Sequence, residues 1–150
     1  MTIYLVHHAH ALGPDVDAQR PLSAAGLAHA DRLAAEAHAA GVSPAAIWHS
    51  GKLRARETAE AFLRRCNPFA TFRMVRGLRP EDSPAGLRDV IAAETADLMI
   101  VSHLPLLPAL ARMLCSDVTT FPLHGLVGLE RGEGGSYEER LRLLGVSSEQ

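Results

Sequence analysis

The run Ile3-Tyr4-Leu5-Val6-His7-His8-Ala9-His10-Ala11 decides how the chain is read. Its four leading apolar residues, free of proline and glycine, read as a buried strand, and two adjacent histidines close it. A second run of the same kind, Asp97-Leu98-Met99-Ile100-Val101-Ser102, ends at His103. In open α/β sheets, ligands gather beyond the carboxyl ends of the strands. A histidine placed there can be a nucleophile, a proton carrier or a metal ligand, and what else can reach it decides which.

Between these two strands the chain alternates. A polar loop, Gly13–Pro21, leads to Ser23, which caps an alanine-rich helix running to about Ala40 with Gly41 as its stop. Ala45–Trp48 reads as a short strand, with Ser50 capping a helix over Lys52–Arg65. A strand follows at Thr71–Val75, and a helix at Pro84–Ala93 with proline in its first turn. After His103 a helix covers Pro105–Cys115. The tail, Gly125–Leu144, reads as a hairpin turning at Gly132–Gly135, although its last segment also has helix formers. Strands alternating with helices predict an α/β fold. The expected form is a three-layer α/β/α sandwich with a mainly parallel sheet and antiparallel strands at the C-terminal end. The 150 residues suit one domain, residues 1–150.

A hydrophobic content of 47% and a net charge of −2 predict a folded globular chain without the basic excess of a nucleic-acid binder. Cys66 and Cys115 form no paired motif and read as thiols in a reducing compartment. The N-terminus has no basic leader, and its apolar run is too short to cross a bilayer, so the expectation is a cytoplasmic protein that does not engage the membrane.

Three features fall at one end of the predicted sheet: His7-His8, Ser50-Gly51-Lys52-Leu53-Arg54-Ala55-Arg56, and Ser102-His103-Leu104-Pro105. A helix N-terminus with basic residues in its first turn favours an anion. Histidines beside it can supply a nucleophile and a further donor, a combination suited to phosphoryl transfer. The rival reading makes His7, His8, His10 and His103 zinc ligands. Adjacent histidines on an extended strand end point apart, however, and no HExxH-type motif is present. A third reading is a phosphate- or phosphoprotein-binding module without turnover.

The order strand–His, Arg20-Pro21-Leu22-Ser23-x-x-Gly26, Ser50-x-x-x-Arg54-Ala55-x-x-Thr58-Ala59, strand–Ser102-His103-x-Pro105 resembles the histidine phosphatase superfamily, with its phosphoglycerate mutase-like fold. The SixA-type phosphohistidine phosphatases are the branch it resembles most. The resemblance runs from Ile3 to about Leu114. It implies that His8 is the nucleophile that becomes transiently phosphorylated, that Arg54 clamps the phosphate, and that His103 donates to a phosphate oxygen. It further implies that Arg20, Pro21, Leu22, Ser23 and Gly26 shape the rim, and that Thr58 and Ala59 pack the helix. The substrate implied is phosphorylated, with a phosphohistidine-containing protein as the first expectation. No cofactor or metal is implied, and the chain is expected as a monomer or small homo-oligomer.

One position departs. The family's first motif is Arg-His with the arginine a phosphate ligand, and here that position is His7. An arginine carries a permanent charge and a planar fork of donors, whereas histidine has two donors at most. Loss of one preorganised oxyanion donor is worth about 3 kcal/mol, roughly 10²–10³ in rate. Lys52, Arg56, Arg20 and Arg79 are the cations that can compensate. Strand alternation predicts that His7 points opposite to His8. If His7 nevertheless binds phosphate as a cation, a narrow, mildly acidic optimum is expected. Glu81 and Asp82 occupy the region where many members carry the general acid, though Asp82-Ser83-Pro84 also reads as a helix start. His10, His49 and His124 read as loop or rim residues, and His29 and His38 as surface positions of the first helix.

Overall fold

A computed structural model describes residues 1–145. The Thr2–His7 strand, β1, forms as its apolar run predicts. Ser23 caps α1 (Ala24–Ala39) by accepting the Gly26 N–H at 3.0 Å, and Gly41 leaves the helix with a φ of 87°. β2 (Ala46–His49), α2 (Leu53–Cys66) and β3 (Thr71–Met74) follow.

The helix expected at Pro84–Ala93 is divided. A 3₁₀ turn at Pro84–Leu87 precedes a five-residue α3, Arg88–Ala92. Ser83 caps the turn at Ala85, and Gly86 is a poor helix former at its centre. β4 (Leu98–Ser102) and α4 (Leu106–Leu114) come next. The tail is the expected hairpin, β5 (Leu126–Arg131) and β6 (Tyr137–Leu143), turning through Gly134 and Gly135 at positive φ.

The strands form one sheet in the order β3-β2-β4-β1-β5-β6. β3, β2, β4 and β1 run parallel, while β5 and β6 are antiparallel. Side-chain alternation divides the core between the two faces. Tyr4, Val6, Ile47, Met99 and Val101 pack against Leu33, Ala37, Ala59 and Phe62 of α1 and α2. Ile3, Leu5, Trp48, Leu98 and Ile100 pack against Leu87 and Ile91 and against Leu107 and Leu110 of α4. The result is the three-layer α/β/α sandwich. Cys66 and Cys115 are buried free thiols, and no helix among the described residues is long and apolar enough to cross a membrane.

Register positions the site. His7 pairs with Ser102, so His8 and His103 leave the sheet side by side. His49 pairs with Val101, which places Ser50 beside them. Val6 pairs with Leu126 across the antiparallel edge, and this brings His124 opposite His8.

Candidate active site

His8 is fixed by its own backbone neighbourhood. Its Nδ1 lies 2.7 Å from the Ala9 carbonyl, which can only accept, so Nδ1 carries the proton and Nε2 holds the lone pair. The Ala9 N–H donates to Thr58 Oγ1 at 3.0 Å, and Thr58 donates in turn to the Arg54 carbonyl at 2.8 Å. Thr58 therefore ties the His8 loop to the first turn of α2. Glu57 accepts the Leu22 N–H at 2.8 Å and ties the Arg20–Ser23 segment to the same helix. Gly26 lets α1 lie against that loop, because a Cβ there would meet the His10 carbonyl oxygen.

His103 is 1% exposed, with its ring centroid 5.0 Å from that of His8. Its Nε2 lies 2.7 Å from Ser50 Oγ, and its buried Nδ1 has no partner among the described residues. Ser50 Oγ also accepts the Lys52 N–H at 3.2 Å. If the hydroxyl proton goes to Nε2, Nδ1 is an N–H. The reverse would leave a bare lone pair that repels an anion. Only the first arrangement makes His103 an oxyanion donor. Ser50 is thus not the helix cap expected of it. Gly51 turns with a φ of 89°, Lys52 takes the N-cap position without a side-chain bond, and Ser50 is left to face His103.

Arg54 Nε is likewise buried without a partner. Burial, and then the Arg20 charge, lower the Arg54 pKa, while Glu81 opposes them. The Arg54 charge lowers the pKa values of His7, His8 and His103, and the His7 and His103 ring centroids lie 4.5 and 5.0 Å from that of His8. Arg20 also acts on His8 and His103, with its Nε held by the Leu12 carbonyl at 2.9 Å, and Lys52 acts on His103. Of the two expected acids, Glu81 is the one whose charge reaches Arg54. Asp82 instead caps its own loop by accepting the Arg79 N–H at 2.8 Å.

His7 departs from expectation. It does not turn away from His8: the two ring centroids are 4.5 Å apart, and His7 stacks on His124 at 4.8 Å. Its Nδ1 accepts the His124 N–H at 2.8 Å. This backbone amide enters because β5 pairs with β1, an antiparallel contact that alternation along β1 alone does not reveal. With Nδ1 accepting, a neutral His7 carries its proton on Nε2 and offers one donor. Burial, and then the neighbouring His8, push its pKa down to about 2. Burial thus favours the neutral ring, with its one donor, over the cation on which the expected mildly acidic optimum depends. Burial first also lowers His8 to about 4 and His103 to about 3.

The sequence reading gave His124 no role in the cluster. Its Nδ1 donates to the His8 carbonyl at 2.7 Å while its N–H holds His7, so it braces both. The pairing of β5 with β1 is the signal that would have found it. His10 bonds Ser23 Oγ at 2.8 Å, and His49 accepts the Gly51 N–H and lies against Phe72. Both therefore serve the loops.

The tightest metal-like group among the described residues is His7, His8 and His124, with ligand atoms within 4.8 Å of one another. It fits a cation poorly. The His7 Nδ1 lone pair is engaged by the His124 amide, so its other nitrogen presents N–H rather than a lone pair. That takes His7 out of the expected zinc set of His7, His8, His10 and His103 and leaves it one ligand short of four.

The family model of the histidine phosphatase superfamily (branch 1) matches residues 3–80. No curated protein matches the chain. Among solved structures, the protein histidine phosphatase SixA complexed with tungstate superposes with a TM-score of 0.82 at 22% identity, covering 96% of this chain and 97% of its own. The SixA structure from Agrobacterium tumefaciens gives 0.79 at 24%, covering 95% and 96%. The one from Nakamurella multipartitia gives 0.77 at 19%, covering 97% and 96%.

Proposed function

Since the chain belongs to the histidine phosphatase superfamily, we propose that it hydrolyses phosphoryl groups through a covalent phosphohistidine on His8. The observation that carries this is the 2.7 Å bond from His8 Nδ1 to the Ala9 carbonyl. It leaves the Nε2 lone pair of a neutral ring next to His103 and within reach of the Arg54 charge. The buried Arg54 Nε and His103 Nδ1 have no partner among the described residues. The Arg54 Nε–H is a donor, and His103 Nδ1 is a second when Ser50 donates to Nε2; oxyanion oxygens satisfy both.

In the first step Nε2 attacks phosphorus and the bond to the leaving group breaks. Arg54 and the Nδ1–H of His103 hold the non-bridging oxygens. In the second step water attacks the same phosphorus, the P–Nε2 bond breaks, and phosphate leaves. Glu81 is the candidate to protonate an ester oxygen on departure and to accept the proton of the attacking water. A phosphohistidine substrate needs this help least, because a protonated imidazole leaves as a neutral ring. The tungstate carried by one similar SixA structure is a tetrahedral oxyanion, which supports a phosphoryl-sized centre. This chemistry routes no step through a metal.

A second reading, phosphate binding with little turnover, rests on His7. A neutral ring with one donor replaces a charged fork. One experiment separates the two: phosphate release from an aryl phosphate and from a phosphohistidine protein, with chelator present. Turnover lost in His8→Ala supports the proposal. Binding without turnover in the wild type favours the second reading.

A further inference from the structure

The reaction centre uses His8, His103 and Arg54, but the concave surface beside it extends well past them. One cavity of about 670 Å³ has Ser50, Lys52, Met74, Arg76, Arg79 and Asp82 among its walls. A second, of about 520 Å³, adjoins it across Gly51 and Lys52 and is walled by Arg20, Arg54 and Arg56. Each is of a size that takes far more than a phosphoryl group.

The sign of this surface is opposite to that of the whole chain. The chain has 17 acids against 15 lysines and arginines. Yet the two cavities are lined by Arg20, Lys52, Arg54, Arg56, Arg76 and Arg79 against the single carboxylate of Asp82. One oxygen of that carboxylate is already engaged by the Arg79 N–H. Arg56 pairs at 3.5 Å with Glu60, an exposed and therefore weak contact. The mutual repulsion is visible at the centre, where Arg20 lowers Arg54 and Lys52 lowers His103. The first turn of α2 contains no acid and adds its positive dipole end. Glu81 is the one acid whose charge reaches Arg54 against this field.

We propose that the Lys52–Arg76–Arg79 groove is a docking site for an acidic polypeptide segment flanking the phosphorylated side chain of a protein substrate. This rests on the phosphatase reading and narrows its substrate class. The cations stand on three separate segments: the loop before α1, the start of α2 and the loop after β3. They therefore suit a chain that passes the centre and continues on both sides more than a compact small ligand. Met74, 55% exposed on the groove wall, offers the apolar surface that such a chain covers. Charge of this kind acts on encounter and selection more than on the chemical step.

The test uses two fluorescein-labelled peptides of one length, one rich in aspartate and glutamate and one in serine and glycine, each with and without a central phosphohistidine. Binding of the unphosphorylated pair, read by anisotropy, needs no turnover and so tests the groove apart from the phosphatase reading. At 0.1 M salt the acidic peptide is expected to bind about tenfold more tightly than the neutral one. That preference should vanish at 1 M, where screening shortens from roughly 10 Å to roughly 3 Å. Arg76→Glu should weaken acidic-peptide binding severalfold and leave aryl phosphate turnover unchanged. Equal binding of the two peptides, or no effect of Arg76→Glu, overturns the proposal. So does competition by pyrophosphate as effective as that by the acidic peptide, which would assign the groove to a small second anion. Hydrolysis of the neutral phosphohistidine peptide reports on the phosphatase reading alone.

Discussion

Ser50→Ala is the most informative single substitution outside the nucleophile. Ser50 Oγ lies 2.7 Å from His103 Nε2, and the two residues are 5% and 1% exposed. Removing the hydroxyl leaves a buried imidazole nitrogen and the Lys52 N–H without their partner. A buried polar group left unpaired costs about 1–3 kcal/mol. Nothing then holds the proton of His103 on Nδ1, the nitrogen with no protein partner. If that free energy falls wholly on the competent form, kcat drops about ten- to a hundredfold, at about 1.4 kcal/mol per decade. Complete loss of the donor sets the ceiling at about 10²–10³. The assay is steady-state hydrolysis of an aryl phosphate beside ¹⁵N NMR of His103. The wild type should show Nδ1–H, and Ser50→Thr, which keeps the hydroxyl, should recover most of the rate. Ser50→Ala with kcat within about twofold of wild type, or a wild-type His103 protonated on Nε2, refutes the reasoning.

Gly26→Ala drives a Cβ into the His10 carbonyl oxygen, and overpacking of this kind costs about 1–3 kcal/mol, to be read as a lower Tm with the circular dichroism spectrum intact. His7→Arg restores a charged fork, so kcat/KM should rise by about tenfold or more, while Tm falls because the His124 amide loses its acceptor. An unchanged kcat/KM would show that His7 is not the deficient ligand. Acid should destabilise the fold through His7 and His103, whose folded values of about 2 and 3 lie far below the usual 6.5. Below 6.5 the unfolded chain binds the extra protons. Stability is therefore complete above that value and declines toward pH 3, by up to about 1.4 kcal/mol per pH unit for each group. A Tm that is flat from pH 7 to pH 4, or as steep in His103→Gln as in wild type, would contradict this.

The parts of the site that come from strand ends and helix starts were legible in the sequence. The apolar runs before His8 and His103 marked two buried strands of a parallel sheet, and the β1–β4 pairing then brings their ends together. Arg54 and Thr58 share a helix turn, and their spacing carried the motif. Contacts that depend on how the tail returns were not legible. His124 reaches His8 only because β5 pairs antiparallel with β1, and the same pairing supplies the amide that holds His7. Local alternation therefore misplaced His7. Ser50 was misread for a similar reason: a serine before a helix has the local chemistry of a cap, and only the β2–β4 register shows that it faces His103. Glu81 and Asp82 could not be separated by sequence, since their difference lies in one loop hydrogen bond, from the Arg79 N–H to Asp82.

The central claim is that His8 carries the phosphoryl group on Nε2. The direct measurement is an alkaline quench of the protein during turnover of a phosphorylated substrate, with the phosphoryl group located by mass spectrometry and its nitrogen identified by ³¹P NMR. One phosphoryl group on His8, bonded through Nε2 and absent from His8→Ala, is the predicted result. Turnover without a phosphoenzyme and unaffected by His8→Ala, or a phosphoryl group on Nδ1 or on another histidine, would contradict it.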